Sequence, residues 1–189
     1  MTAKLKKTIC LIVLIGYVIT PANAFAQDVA LKNIIVTNTR DDLLVYLTVE
    51  GAFTEKMEKA VLSGVPTTFS YFIQLYRVRN FWLDEKIVEI DSSNTIKYNS
   101  LKKEFVVTRS WENHQPVVVK SFSEARKLMS EIDSLKVVPL NRLEKGYRYQ
   151  LRTKAQLSKI TLPFYLHYVF FFLSLWDFET DWYTIEFIY

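Results

Sequence analysis

Residues 147–156 read Tyr-Arg-Tyr-Gln-Leu-Arg-Thr-Lys-Ala-Gln, an alternation with no break in it. Tyr147, Tyr149, Leu151 and Thr153 fall on one face; Arg148, Gln150, Arg152, Lys154 and Gln156 fall on the other. A period of two with one apolar and one polar face describes an antiparallel strand that lies on a core with its far side in water. Working outward, Leu43, Val45, Leu47 and Val49 repeat the pattern, as do Phe69, Tyr71, Ile73 and Leu75. Ala30–Thr37 reads as a strand before them, joined through the polar turn Asn38–Asp42. Trp82–Ile90, Thr95–Tyr98, Glu104–Arg109 and Pro116–Lys120 read as further strands. Asp91-Ser92-Ser93-Asn94 reads as a turn between two of them.

Two segments depart from that period. In Ser121–Asp133, Ala125, Leu128, Met129 and Ile132 recur at helical spacing, and Ser121 and Glu124 stand at capping-box spacing. Thr54–Ser63 predicts a shorter helix. Thr54 is its N-cap, Gly64 its stop, and Met57, Ala60 and Val61 form its inward face. The expected fold class is mainly β (α+β): an antiparallel β-sandwich-like domain with two short helices, occupying residues 27–189 as one unit.

The N-terminus predicts a leader over residues 1–26. Lys4, Lys6 and Lys7 precede the apolar run Thr8–Thr20, Pro21 follows, and small residues lead to cleavage after Ala24 or Ala26. The run is short for a membrane-spanning helix, which needs roughly 20 apolar residues. Cys10 is the chain's one cysteine and lies inside that run. Residues 27–189 therefore hold no thiolate nucleophile, thiolate metal site or disulfide. Of 24 Lys and Arg, three fall in the leader, which leaves 21 against 20 Asp and Glu. A near-neutral domain lacks the charge for phosphate neutralisation, so nucleic acid is not an expected partner.

Several strings carry a resemblance when taken in order. They are Gly51-Ala52-Phe53-Thr54, Gly64-Val65-Pro66-Thr67-Thr68-Phe69, Phe81-Trp82-Leu83-Asp84-Glu85-Lys86 and Ile96-Lys97-Tyr98-Asn99, then Tyr147–Arg152, Leu162-Pro163 and Trp176–Trp182. With these the chain resembles the exported proteobacterial domain-of-unknown-function family 4390 over residues 27–189. The resemblance brings no reaction, ligand or catalytic residue. Some relatives are encoded near membrane sensor kinases, so it implies a role in envelope signalling with a membrane or envelope protein as partner.

The chemistry-bearing residues are few. Asp177, Glu179 and Asp181 are spaced by two and form the candidate metal cluster, although Trp182 stands where a calcium loop has glycine. His114 and His167 have no nucleophile motif beside them, and no glycine-rich phosphate loop is present. No catalytic residue, cofactor or small-molecule ligand is expected. The candidate partner-binding residues are Arg148, Arg152 and Lys154, on one strand face, with the aromatics Phe171, Trp176 and Trp182. A solvated strand face is the competing reading of the cations.

Leu162–Trp176 carries no formal charge and is apolar on both alternate sets. It reads first as a central strand, with a dimerisation or docking surface and a membrane contact as alternatives. Tyr183, Ile185, Phe187 and Tyr189 alternate to the end of the chain, as the last strand of an outer-membrane barrel does. The functional expectation is a non-enzymatic interaction or signalling-accessory module of the periplasm. The alternatives are an outer-membrane-associated protein, as a small barrel or a peripheral one, and a metal- or ligand-binding protein using the acidic cluster.

Overall fold

The computed structural model describes residues 29–112, 115–158 and 178–189. Nine strands form two antiparallel sheets among these residues. The smaller sheet contains β1 (Ala30–Asn38), β2 (Asp42–Glu50) and β7 (Glu131–Pro139), in the order β1-β2-β7. The larger contains β3 (Thr67–Arg77), β4 (Glu85–Asn99), β5 (Glu104–Arg109), β6 (Pro116–Val119), β8 (Arg148–Leu157) and β9 (Tyr183–Ile188), in the order β6-β5-β4-β3-β8-β9. Helix α1 (Glu55–Leu62) links the first sheet to the second, and α2 (Phe122–Ser130) leads back.

Alternation places the core. Phe69, Tyr71, Ile73 and Leu75 of β3 are buried, beside Tyr149, Leu151 and Ala155 of β8 and Ile96 of β4. Leu43, Val45, Leu47 and Val49 of β2 point into the same apolar cluster, together with Met57 and Val61 of α1 and Ala125 and Met129 of α2. The sandwich-like, mainly β fold with two short helices is as expected. Helix α1 has the expected caps. Thr54 Oγ1 accepts the amide of Met57 at 3.2 Å. Gly64, at φ +85°, supplies the left-handed residue that turns the chain out of the helix.

Four expectations are corrected. Asp91–Asn94 is no turn: β4 runs through it as one 15-residue strand. Its inward polar residues are satisfied, Ser92 Oγ by Ser110 Oγ at 3.0 Å and Asn94 by the end of α2. Helix α2 stops at Ser130 instead of Asp133, and Ser121 makes no side-chain cap bond. The chain passes without a loop into β7, a strand the pattern does not announce, and Ile132 is buried from β7. Trp82, Leu83 and Asp84 precede β4 and lie in the loop after β3.

Nor do the C-terminal residues close a barrel. Strand β9 is an edge of the larger sheet, paired from Arg148↔Ile188 to Thr153↔Tyr183, and both described sheets are open. The edges of the smaller sheet are irregular. Asn33 (φ 52°) and Ser134 (φ 60°) sit where the registers of β1 and β7 against β2 shift. Such bulges twist an edge away from further pairing.

Candidate functional site

The larger sheet ends in a tight hairpin. Strands β3 and β4 pair as far as Arg77↔Glu85, and residues 78–84 make the loop. Its base is held at several points. The Val78 amide donates to the Arg148 carbonyl at 2.9 Å. The Arg79 amide donates to Asp84 Oδ1 at 3.2 Å. The Arg77 guanidinium donates to Glu85 Oε2 through Nε at 3.1 Å and Nη2 at 2.5 Å, and its Nη1 reaches Glu144. Arg79 completes the cluster from the other side of Glu85. The Arg77 guanidinium also stacks 5.3 Å from the Tyr147 ring centroid.

On this braced base stand Phe81, Trp82 and Leu83, exposed by 94%, 81% and 92%. Three consecutive large apolar side chains at that exposure are the least buried apolar group among the described residues. Isolated exposed apolar residues are ordinary; a contiguous group rimmed by charge marks a contact surface. Beside the tip, the Leu143–Tyr147 turn meets the end of β9, with the Gly146 amide bonded to the Tyr189 carbonyl at 2.5 Å. Tyr147 and Ile188 add exposed apolar surface at this end. An open cleft of about 730 Å³ lies between the tip and this turn, lined by Arg77, Arg79, Trp82, Tyr147 and Arg148 among others.

Hydrogen bonds from Arg77 and then Arg79 hold the Glu85 carboxyl below the usual glutamate range. A depressed pKa means that the carboxylate supports the fold fully above the ordinary value of 4.5, and that this support is lost as pH falls through the lowered one. Hydrogen exchange of residues 78–84, corrected for intrinsic rates, is therefore expected to stay level from neutral pH down to about that ordinary value. It should rise only on further acidification. The acid step should vanish in Glu85→Gln; a step that persists there would assign it to another group.

The cations singled out by alternation do share the outer face of the larger sheet, but each has a partner. Arg148 Nη1 lies 3.9 Å from Glu186, and its Nη2 donates to Asn80 Oδ1 at 3.4 Å. Arg152 donates to Gln150 Oε1 at 2.7 Å, stands 4.0 Å from Asp84 and stacks on the Tyr76 ring at 4.8 Å. Lys154 pairs with Glu179 and lies 5.6 Å from the Trp182 ring centroid. Of the three, Arg148 is the one placed beside the hairpin tip.

Phe171, Trp176, Asp177, both histidines and all of Leu162–Trp176 belong to 113–114 and 159–177, outside the described residues. Of the acidic cluster, Glu179 is engaged by Lys154 and Asp181 is exposed. Buried Thr180 lies between them, its hydroxyl accepting the Ala155 amide at 3.0 Å. Among the described residues no group of three or more His, Cys, Asp or Glu is placed to hold a metal ion.

None of Phe81, Trp82 and Leu83 stands out as a site residue in the sequence, where Trp82 and Leu83 read as the start of a strand. The available signal is that three bulky apolar residues in a row, after Asn80 and before Asp84, fit no half-exposed strand. A family model described as a domain of unknown function (DUF4390) matches residues 26–186. No curated protein and no solved structure matches the chain.

Proposed function

We propose that this chain, which belongs to the DUF4390 family, is an exported, non-enzymatic interaction module of the cell envelope that docks through its Phe81-Trp82-Leu83 tip. The observation that carries this reading is the exposure of all three side chains on a hairpin whose base is braced by Arg77, Glu85, Arg79 and Glu144. An apolar tip that made no contact would be a liability to a freely soluble domain. Rigid support is what a recognition element needs if binding is not to be opposed by ordering of the loop. Export is supported by the leader pattern: Lys4, Lys6 and Lys7, the apolar run Thr8–Thr20, and the small residues ending at Ala24 and Ala26. The envelope is then where the tip meets its partner.

The test compares the natively exported chain with a Phe81→Ser, Trp82→Ser, Leu83→Ser variant. Cells are crosslinked, then separated into periplasmic and membrane fractions. The wild type is expected in the membrane fraction or joined to an envelope protein, and the variant free in the periplasm. The same distribution and the same crosslinks for both chains would overturn the reading. Retention of either chain in the cytosol, with its leader attached, would overturn export.

A further inference from the structure

We infer that the surface recognised by the tip is a lipid bilayer carrying anionic headgroups, with Phe81, Trp82 and Leu83 entering the interface and the surrounding cations holding the headgroups. The inference rests on the reading above and names the partner.

Three observations carry it. The first is shape. The apolar residues are consecutive in a hairpin loop, each more than four-fifths exposed, and stand out from the end of a sheet. A projecting apolar point suits a medium that deforms around it, whereas protein hot spots are centred in packed, water-excluding patches. The second is residue type. Aromatic and aliphatic side chains beside basic ones are the composition of segments that lie in the membrane interface, where Trp in particular resides.

The third is charge. Residues 77–86 and 142–148 around the tip hold six cations (Arg77, Arg79, Lys86, Arg142, Lys145, Arg148) against three acids (Asp84, Glu85, Glu144), and Glu89 and Glu186 pair with Lys86 and Arg148 from outside these segments. The acids are engaged within these segments. Glu85 and Glu144 bind Arg77, and Asp84 accepts the loop's own Arg79 amide. Lys145 stays exposed, as does Arg148 beside Glu186 at 3.9 Å. The cleft between tip and turn presents Arg79 and Arg148 to whatever enters it. An anionic headgroup there would sit above acyl chains reached by the three apolar residues. Among the described residues no helix is long and apolar enough to cross a membrane, and the mode we infer from the tip is peripheral insertion by this loop.

The experiment is flotation of the exported protein with vesicles of phosphatidylethanolamine and phosphatidylglycerol, beside vesicles of phosphatidylcholine alone. Trp emission is followed in parallel with brominated acyl chains as quenchers. The wild type should float with the anionic vesicles. The Phe81→Ser, Trp82→Ser, Leu83→Ser variant should bind at least about tenfold more weakly. Lys145→Gln and Arg148→Gln should each weaken binding roughly fivefold, with binding also falling as salt is raised.

Trp82→Phe should float like the wild type but lose the quenched part of the emission. That readout separates the tip from any contribution of the apolar stretch 162–176. A wild type that does not float, a triple variant that floats as well, or quenching unchanged in Trp82→Phe would each overturn the bilayer. If the tip-dependent crosslink to an envelope protein survives any of these results, the docking role stands and its partner is a protein. If it is also absent, both fall.

Discussion

Replacing Asn94 with alanine is expected to destabilise the domain by about 3 kcal/mol, because two or more buried polar groups lose their partner at once. Asn94 lies on the inner face of β4, fully buried. Its Nδ2 group donates to the carbonyls of Leu128 (3.4 Å), Met129 (3.0 Å) and Glu131 (3.2 Å), and its Oδ1 accepts the Trp111 indole N–H at 3.2 Å. The last carbonyls of a helix have no partner within it and usually turn to a glycine-led cap or to water. Helix α2 has neither a glycine nor a loop at its end, since Ser130 runs straight into β7. The opposite sheet supplies the cap instead.

Tyr71 adds to that cap, its hydroxyl donating to the Met129 carbonyl at 2.7 Å, and burial pushes its pKa up so that it stays a neutral donor. Tyr71→Phe alone is expected to lower stability by about 1 kcal/mol. The double variant should lose more than the sum, because only then is the shared Met129 carbonyl left bare. Denaturant titration of the four proteins measures this. A change within about 1 kcal/mol for Asn94→Ala would mean that water replaces the amide and that the cap is dispensable.

The same junction explains where the sequence could be read and where it could not. Strands β2 and β8 are half-buried along their length, so composition alone sorts their residues onto faces. Helix α1 is readable at both ends because its signals are local: Thr54 reaches Met57, and Gly64 takes the left-handed conformation. The end of α2 has no local signal. Met129 and Ile132 stand at helical spacing, although one is buried from the helix and the other from the strand. What ends the helix is Asn94, supplied by β4. Of the polar residues that make Asp91–Asn94 resemble a turn, Ser92 and Asn94 are thus the inward groups, one bonded to Ser110 and the other capping α2. Strand β7 is hidden for another reason. Its bulge puts Ile132, Leu135, Val137 and Val138 out of strict alternation.

The site was legible in part. The cations of β8 stand out in the sequence, but their acidic neighbours Glu186, Asp84 and Glu179 come from other segments, so alternation cannot show which of them are paired. The tip is the reverse case. Phe81-Trp82-Leu83 is plain in the sequence, and apolar residues near a strand are by default assigned to the core. Only the register of the hairpin, closing at Arg77↔Glu85, puts them beyond the sheet.

Two phenylalanines should therefore respond in opposite ways. Phe69 is fully buried at the centre of β3, with the Phe53 ring centroid at 5.2 Å and Phe178 meeting it edge-on at 4.9 Å. Phe53 comes from the link between β2 and α1. Phe178 leads the chain into β9, its carbonyl accepting the Leu157 amide at 2.9 Å. Phe69→Ala would leave a cavity touching both connections and is expected to cost about 3–5 kcal/mol. For a chain of this size that lowers the melting temperature by roughly 10 °C. Phe69→Leu, which keeps most of the volume, should cost less than about 1.5 kcal/mol. Phe81→Ser should leave the stability unchanged within about 0.5 kcal/mol, since a side chain already in water has no burial to lose. The contrast tests the tip before any partner is known. Stability lost at Phe81 as at Phe69 would show the tip packed against something in solution, a second copy of the chain being the first to examine. The docking reading would then have to be rebuilt around that contact. Stability lost only at Phe69 would show that Phe81 is exposed for a reason other than folding, as the docking proposal requires.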